Sequence, residues 1–149
     1  MFAALFMSIV PAIISRGCAG SYDNEAVAIW AMVNTFYLWI KACNTGSVLW
    51  SVGCTLNYFY MVASWGGYSF IINIIPLFVI GCMFVNKFNN KIFVAYSVFY
   101  TLGSLLAMLI TFVNFQVIRS SEHLLSHITF FSMLFFMVLS YVKSNMKEE

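Results

Sequence analysis

Charge is scarce in this sequence. Seven of its 149 residues are Lys or Arg and five are Asp or Glu, 8% in all, with a formal net charge of +2. A balance so small and so scattered excludes an electrostatic nucleic-acid binder, which needs a basic patch or stripe. No internal repeat and no low-complexity linker divides the chain. Its cysteines, Cys18, Cys43, Cys54 and Cys82, form no C-x-x-C pair and no framework spacing. They read as small apolar residues and say nothing about redox compartment. Apolar residues, by contrast, make up 62% of the chain, and mean hydropathy is +0.91. Usage so far from that of soluble domains predicts an integral membrane protein.

The apolar runs predict about six crossings in one all-α membrane domain over residues 1–149. They are Met1–Ser15, Ala26–Ile40, Ser47–Ser64, Tyr68–Val85, Ile92–Phe115 and Leu124–Val142. The first is short for a span of roughly twenty residues, and no basic region precedes it as a signal peptide would require. Six crossings put alternate loops on opposite sides. Lys41, Lys87, Lys91, Lys143 and Lys147 then share one side, and Arg16, Asp23, Glu25, Arg119, Glu122 and His123 share the other. The positive-inside rule makes the lysine side cytoplasmic.

One polar stretch, Arg16-Gly-Cys-Ala-Gly-Ser-Tyr-Asp-Asn-Glu25, gathers charges of both signs between two apolar segments. In an extended or turn backbone, side chains at i and i+2 leave from one side, so Asp23 and Glu25 could form half of a site for a hard divalent cation. The competing reading has Asp23 capping the following helix and Glu25 in its first turn, where the dipole favours it. A shared cation favours extended or turn backbone across Asp23-Asn24-Glu25, with the helix beginning at or after Glu25, although a helix N-terminus tolerates some compromise. A cap puts Asn24 and Glu25 already in the helix. Spacing leaves both open.

Other polar residues invite weaker readings. Asn34, Asn57, Asn73 and Asn114 suit interhelical hydrogen bonding. Gly103 and Ala107 have the small-xxx-small spacing of close helix packing. His123 and His127 stand at i and i+4, but the pattern is not H-E-x-x-H, and Glu122 suits a helix start. Trp65-Gly66-Gly67-Tyr68 reads as an interfacial aromatic turn whose glycines could admit a ligand close to the backbone.

The run Ser15-Arg-Gly-Cys-Ala-Gly-Ser-Tyr-Asp-Asn-Glu-Ala-Val-Ala-Ile29 resembles the second acidic motif of the catalytic subunit of oligosaccharyltransferase, the STT3 family. Similar in the same order are Thr35-Phe-Tyr-Leu-Trp-Ile-Lys-Ala-Cys-Asn-Thr-Gly-Ser47, Tyr58-Phe-Tyr-Met-Val-Ala-Ser-Trp-Gly-Gly-Tyr68, Ile71-Ile-Asn-Ile-Ile-Pro-Leu77 and Ser120-Ser-Glu-His123. The resemblance implies a helix bundle of the GT-C glycosyltransferase type in the endoplasmic reticulum membrane, with the Arg16–Glu25 loop lumenal. It implies protein N-glycosylation: transfer of a preassembled oligosaccharide from dolichyl diphosphate to Asn in Asn-X-Ser/Thr, with Mn²⁺ or Mg²⁺. Partners implied are that lipid-linked donor, the acceptor polypeptide, other oligosaccharyltransferase subunits and membrane lipid, with no nucleic acid. By the matching motif, Asp23 and Glu25 are metal ligands and Arg16 supports catalysis beside them. Tyr68 aligns with a position near the carrier's diphosphate-sugar end. The family's first acidic motif, its Ser-Val-Ser-Glu loop and its lumenal Trp-Trp-Asp-Tyr-Gly domain do not occur here, so the chain resembles a middle stretch of the subunit. The alternative is a noncatalytic membrane segment acting only by packing against partner subunits.

Overall fold

A computed structural model describes residues 2–11, 14–15, 18, 20 and 23–146. Arg16 and Lys147 are among those outside the described residues. The described residues form helices and turns with no strand. The helices are α1 (Phe2–Ile9), α2 (Asn24–Thr45), α3 (Val48–Ser64), α4 (Ser69–Phe84), α5 (Asn90–Met108), α6 (Gln116–Arg119) and α7 (Leu124–Asn145). Short 3₁₀ turns, Gly66–Tyr68 and Ser121–His123, lead into α4 and α7. Among the described residues, Asn24–Thr45, Gly66–Phe84, Asn90–Met108 and Ser121–Lys143 are long and apolar enough to cross a membrane. At 17 residues, α3 lies at the lower limit of a span.

Two boundaries differ from the sequence expectation for physical reasons. The polar link after Ile40 remains helical to Thr45, because Ala42 is fully buried and the Lys41 ammonium lies 3.7 Å from the centre of the Trp50 ring. Polarity alone does not end a helix. Gly46 ends it, adopting φ 72° and donating its N–H to the Ala42 carbonyl, as a left-handed C-terminal residue does. The run to Phe115, conversely, stops being helical at Met108 and winds through turns over 109–115, with Asn114 at φ 40°. Val113 and Val117 are buried there, so apolar contacts hold a turn that hydropathy reads as more helix.

Helices α2, α3 and α5 pack together, and α4 packs on α7, which also meets α5. The shared core is aromatic. Trp39 makes edge-on or tilted contacts with Phe78, Tyr96 and Phe99, and Tyr58 contacts Phe99 at 5.3 Å. Such pairs contribute about 0.5–1.5 kcal/mol beyond their buried area. Gly103 lets α5 approach α3: a Cβ added there would lie 3.5 Å from the Tyr58 ring. Asn34 donates to Asn57 at 2.7 Å across α2 and α3. Asn73 instead donates to Ser69 of its own helix, and Asn114 lies in the turn after α5.

The bundle sorts its polar ends as the loop parity predicts. Lys91 donates to the Asn44 carbonyl at 3.1 Å, joining the end of α2 to the start of α5. Asn86, after α4, shares a cleft with Lys143 near the end of α7. The far end of α2 carries Asp23 and Glu25, while the loops after α3 and α5 meet where Tyr68 touches His123.

Candidate functional site

The acid-bearing end begins at the start of α2. Asp23 has extended backbone (φ −131°, ψ 177°), and its Oδ1 accepts the Asn24 N–H at 2.7 Å. The Ala26 N–H reaches the Asp23 carbonyl at 3.1 Å. Asp23 is therefore the N-cap, and the helix already includes Asn24 and Glu25. The extended segment that a simple i, i+2 alignment needs stops one residue early. Asp23 is exposed and Glu25 half-buried, so both carboxylates stand at one helix terminus.

Two carboxylates could supply only part of a cation shell. A hard divalent cation takes about six oxygen ligands, and one oxygen of Asp23 already accepts the cap hydrogen bond. Among the described residues, no three His, Cys, Asp or Glu gather where they could share a metal. The helix N-terminus also carries partial positive charge, which opposes a cation unless further anionic ligands join. Arg16 lies outside the described residues.

Tyr68 occupies a different part of this end. It is buried, with its ring 6.4 Å from Tyr58 and 5.8 Å from His123. The preceding glycines have separate uses. A side chain at Gly67 would collide with the Trp65 ring, which folds back over it, whereas Gly66 faces open space.

The histidine pair does not form a metal site. His127 Nε2 faces the Val117 carbonyl at 3.0 Å, and its Nδ1 faces the Tyr100 hydroxyl at 2.6 Å. A carbonyl can only accept, so Nε2 carries the proton and, in the neutral ring, Nδ1 accepts from Tyr100. Both nitrogens are thus occupied, and the ring fastens α7 to α5 and α6. His123 Nδ1 meets the Ser120 hydroxyl at 2.9 Å, while its buried Nε2 has no partner among the described residues. Sequence reasoning paired the two histidines with each other by their spacing. Their actual partners, Tyr68, Tyr100, Ser120 and Val117, are set by the turn at 109–123, for which the sequence offered no glycine or proline signal.

The family profile described as "Oligosaccharyl transferase STT3, N-terminal" matches residues 1–148. The chain is 45% identical over 149 residues to the dolichyl-diphosphooligosaccharide–protein glycosyltransferase subunit STT3 of Dictyostelium discoideum, covering all of this chain and 21% of that protein. It is 49% identical over 124 residues to the subunit stt-3 of Caenorhabditis elegans, covering 83% and 16%. It is 47% identical over 148 residues to the subunit STT3B of Arabidopsis thaliana, covering 99% and 20%. The chain thus spans about a fifth of the length of these curated relatives. The matched stretch falls in the family's N-terminal domain and includes the acidic motif, the Trp-Gly-Gly-Tyr turn and every helix described above. The chain belongs to the STT3 family of oligosaccharyl transferase.

Proposed function

We propose that these residues are the acid-bearing membrane part of a protein N-glycosyltransferase. The reaction is transfer of a preassembled oligosaccharide from dolichyl diphosphate to the amide nitrogen of Asn in Asn-X-Ser/Thr. Support comes from one observation above all: the family match runs from residue 1 to 148 and carries the Asp23-Asn24-Glu25 motif at the mouth of a membrane-length helix. In this reading the protein works in the endoplasmic reticulum membrane beside other oligosaccharyltransferase subunits, with Asp23 facing the lumen and the lysine end facing the cytosol.

Asp23 and Glu25 would hold Mn²⁺ or Mg²⁺ with ligands from the rest of the protein. A bound cation supplies stabilisation of the charge that builds on the departing diphosphate. The chain's own residues do the rest. The capped start of α2 fixes where the two carboxylates stand. Arg16, seven residues before Asp23 in the sequence, would offer a planar fork of donors suited to phosphate or carboxylate oxygens. Tyr68 shapes the wall near the carrier's diphosphate-sugar end, its position set by His123 and Tyr58. A second reading, a noncatalytic segment that only packs against partner subunits, draws on the completed cap at Asp23, which accounts for that carboxylate without a metal.

The test is an exchange. These 149 residues replace the matched stretch of the Dictyostelium subunit, and glycosylation of an Asn-X-Thr peptide is measured with a dolichyl-diphosphate donor. The expected result is transfer, mostly lost in the same chimera carrying Arg16→Lys. A chimera present at normal level but inactive would refute the reading. Near-normal transfer with Arg16→Lys would remove Arg16 from the site.

A further inference from the structure

The two short turns at the acid-bearing end meet through one pair of rings. Gly66–Tyr68 leads into α4 and Ser121–His123 into α7. The Tyr68 and His123 rings lie 5.8 Å apart with their planes inclined at 40°, and both side chains are buried, at 6% and 2% exposure. Tyr68 also meets the Tyr58 ring at 72°.

What distinguishes Tyr68 is its hydroxyl. Two other buried or half-buried tyrosines spend theirs inside the bundle, Tyr96 on the Ser126 carbonyl at 3.0 Å and Tyr100 on His127 Nδ1 at 2.6 Å. The Tyr68 hydroxyl makes no hydrogen bond among the described residues, and it is not one of the sealed, unpaired atoms there. Ring contacts alone therefore aim it. The oxygen stands at the far end of a rigid ring, so a change in ring direction moves it most.

His123 is itself held by Ser120. The Ser120 Oγ lies 2.9 Å from Nδ1, and the Ser120 carbonyl accepts the His123 N–H at 3.3 Å. The buried Nε2 has no partner among the described residues, and neither neutral tautomer gives it one. An apolar ring would fill the same space without an unpaired nitrogen. What imidazole adds is direction. The Ser120 bond fixes the rotation of the ring, and the ring limits where Tyr68 can lie.

We infer that Ser120 and His123 are positioning residues for the glycosyl donor. Ser120 fixes the imidazole, the imidazole holds Tyr68, and the Tyr68 hydroxyl stays free to donate to an oxygen at the donor's diphosphate-sugar end. The inference rests on the glycosylation reading for what that hydroxyl meets.

The test uses the Dictyostelium chimera, with kcat and KM measured separately for the dolichyl-diphosphate donor and the Asn-X-Thr peptide. Tyr68→Phe should lower kcat/KM for the donor about two- to tenfold, the range of one neutral hydrogen bond. Ser120→Ala removes only a half-buried hydroxyl, and His123→Phe keeps a ring. Each should lower the same ratio about two- to fivefold and leave the peptide's KM unchanged. Ser120→Thr, which restores a hydroxyl, should recover most of the loss. In a Tyr68→Phe background, Ser120→Ala and His123→Phe should cost almost nothing more, because the atom they aim is gone. Ser121→Ala, an exposed hydroxyl in the same turn, should change nothing. Losses that multiply in the Tyr68→Phe background, or that fall equally on both substrates, would overturn the inference and make His123 a packing residue only. So would a Ser120→Ala enzyme with unchanged donor kinetics, or equal losses with Ser121→Ala. Each of these outcomes leaves the parent chimera active. An inactive parent refutes the glycosylation reading, and the inference falls with it.

Discussion

Asp23 offers the sharpest perturbation because its two roles respond oppositely to one amide. The structure gives it an N-cap bond of 2.7 Å to the Asn24 N–H, and Asn caps a helix about as well as Asp. Asp23→Asn should therefore leave the stability of α2 nearly unchanged. Asp23→Ala removes the acceptor and should cost about 1 kcal/mol, within the usual 0.5–2 kcal/mol for a lost cap. A cation responds to the other property. The amide keeps one oxygen but loses the negative charge, and Mg²⁺ or Mn²⁺ binds carboxylates chiefly through that charge. Loss of a supporting group around a metal already weakens affinity about 10–100-fold, so loss of a direct ligand should raise the Mn²⁺ requirement by at least as much.

The assay is a Mn²⁺ titration of glycosylation in the chimera, with thermal stability measured on the same preparations. The expected pattern is normal stability with a right-shifted titration for Asp23→Asn. Glu25→Gln should show the same shift with a loss of about 0.3–1 kcal/mol from the helix dipole. An unshifted titration in both amide variants, beside a destabilised Asp23→Ala, would refute the metal role and leave Asp23 as a cap alone.

Packing and orientation yield two further tests. Gly103→Ala should be nearly neutral, since its Cβ would sit 3.5 Å from the Tyr58 ring in ordinary contact, whereas Gly103→Leu should destabilise by about 1–3 kcal/mol through overpacking; equal effects would mean that α3 and α5 do not meet there. In sealed microsomes of a cysteine-free background, an impermeant maleimide should label Lys87→Cys at once and Gly66→Cys only after permeabilisation, and the reverse order would invert the assigned membrane orientation.

How much of this was legible in the sequence depends on the range of the interaction that decides each feature. Hydropathy and loop parity placed Lys41, Lys87, Lys91 and Lys143 at one end, because each crossing reverses direction whatever it packs against. Residue size was nearly as informative: Gly103 faces the Tyr58 ring, and Asn34 reaches Asn57, because a small or amide side chain on an apolar helix has few other uses. Helix ends were less visible. The sequence reading ended α2 at Ile40, whereas the helix runs on to Thr45 and Gly46 ends it; the end of α5 is set by burial of Val113 and Val117 and by the His127 bond to the Val117 carbonyl. The site was least legible of all. The acidic spacing was compatible with a cap and with a ligand pair, and only the backbone at Asn24 distinguishes the two geometries. That geometry bears on chemistry: a capped carboxylate is fixed in place before any cation arrives, so little ordering entropy is left to lose on binding. On the proposed metal reading, the cap and the ligand would be successive uses of one side chain. The cap by itself cannot argue against the metal, and the charge-deleting, cap-preserving substitution is the one that separates them.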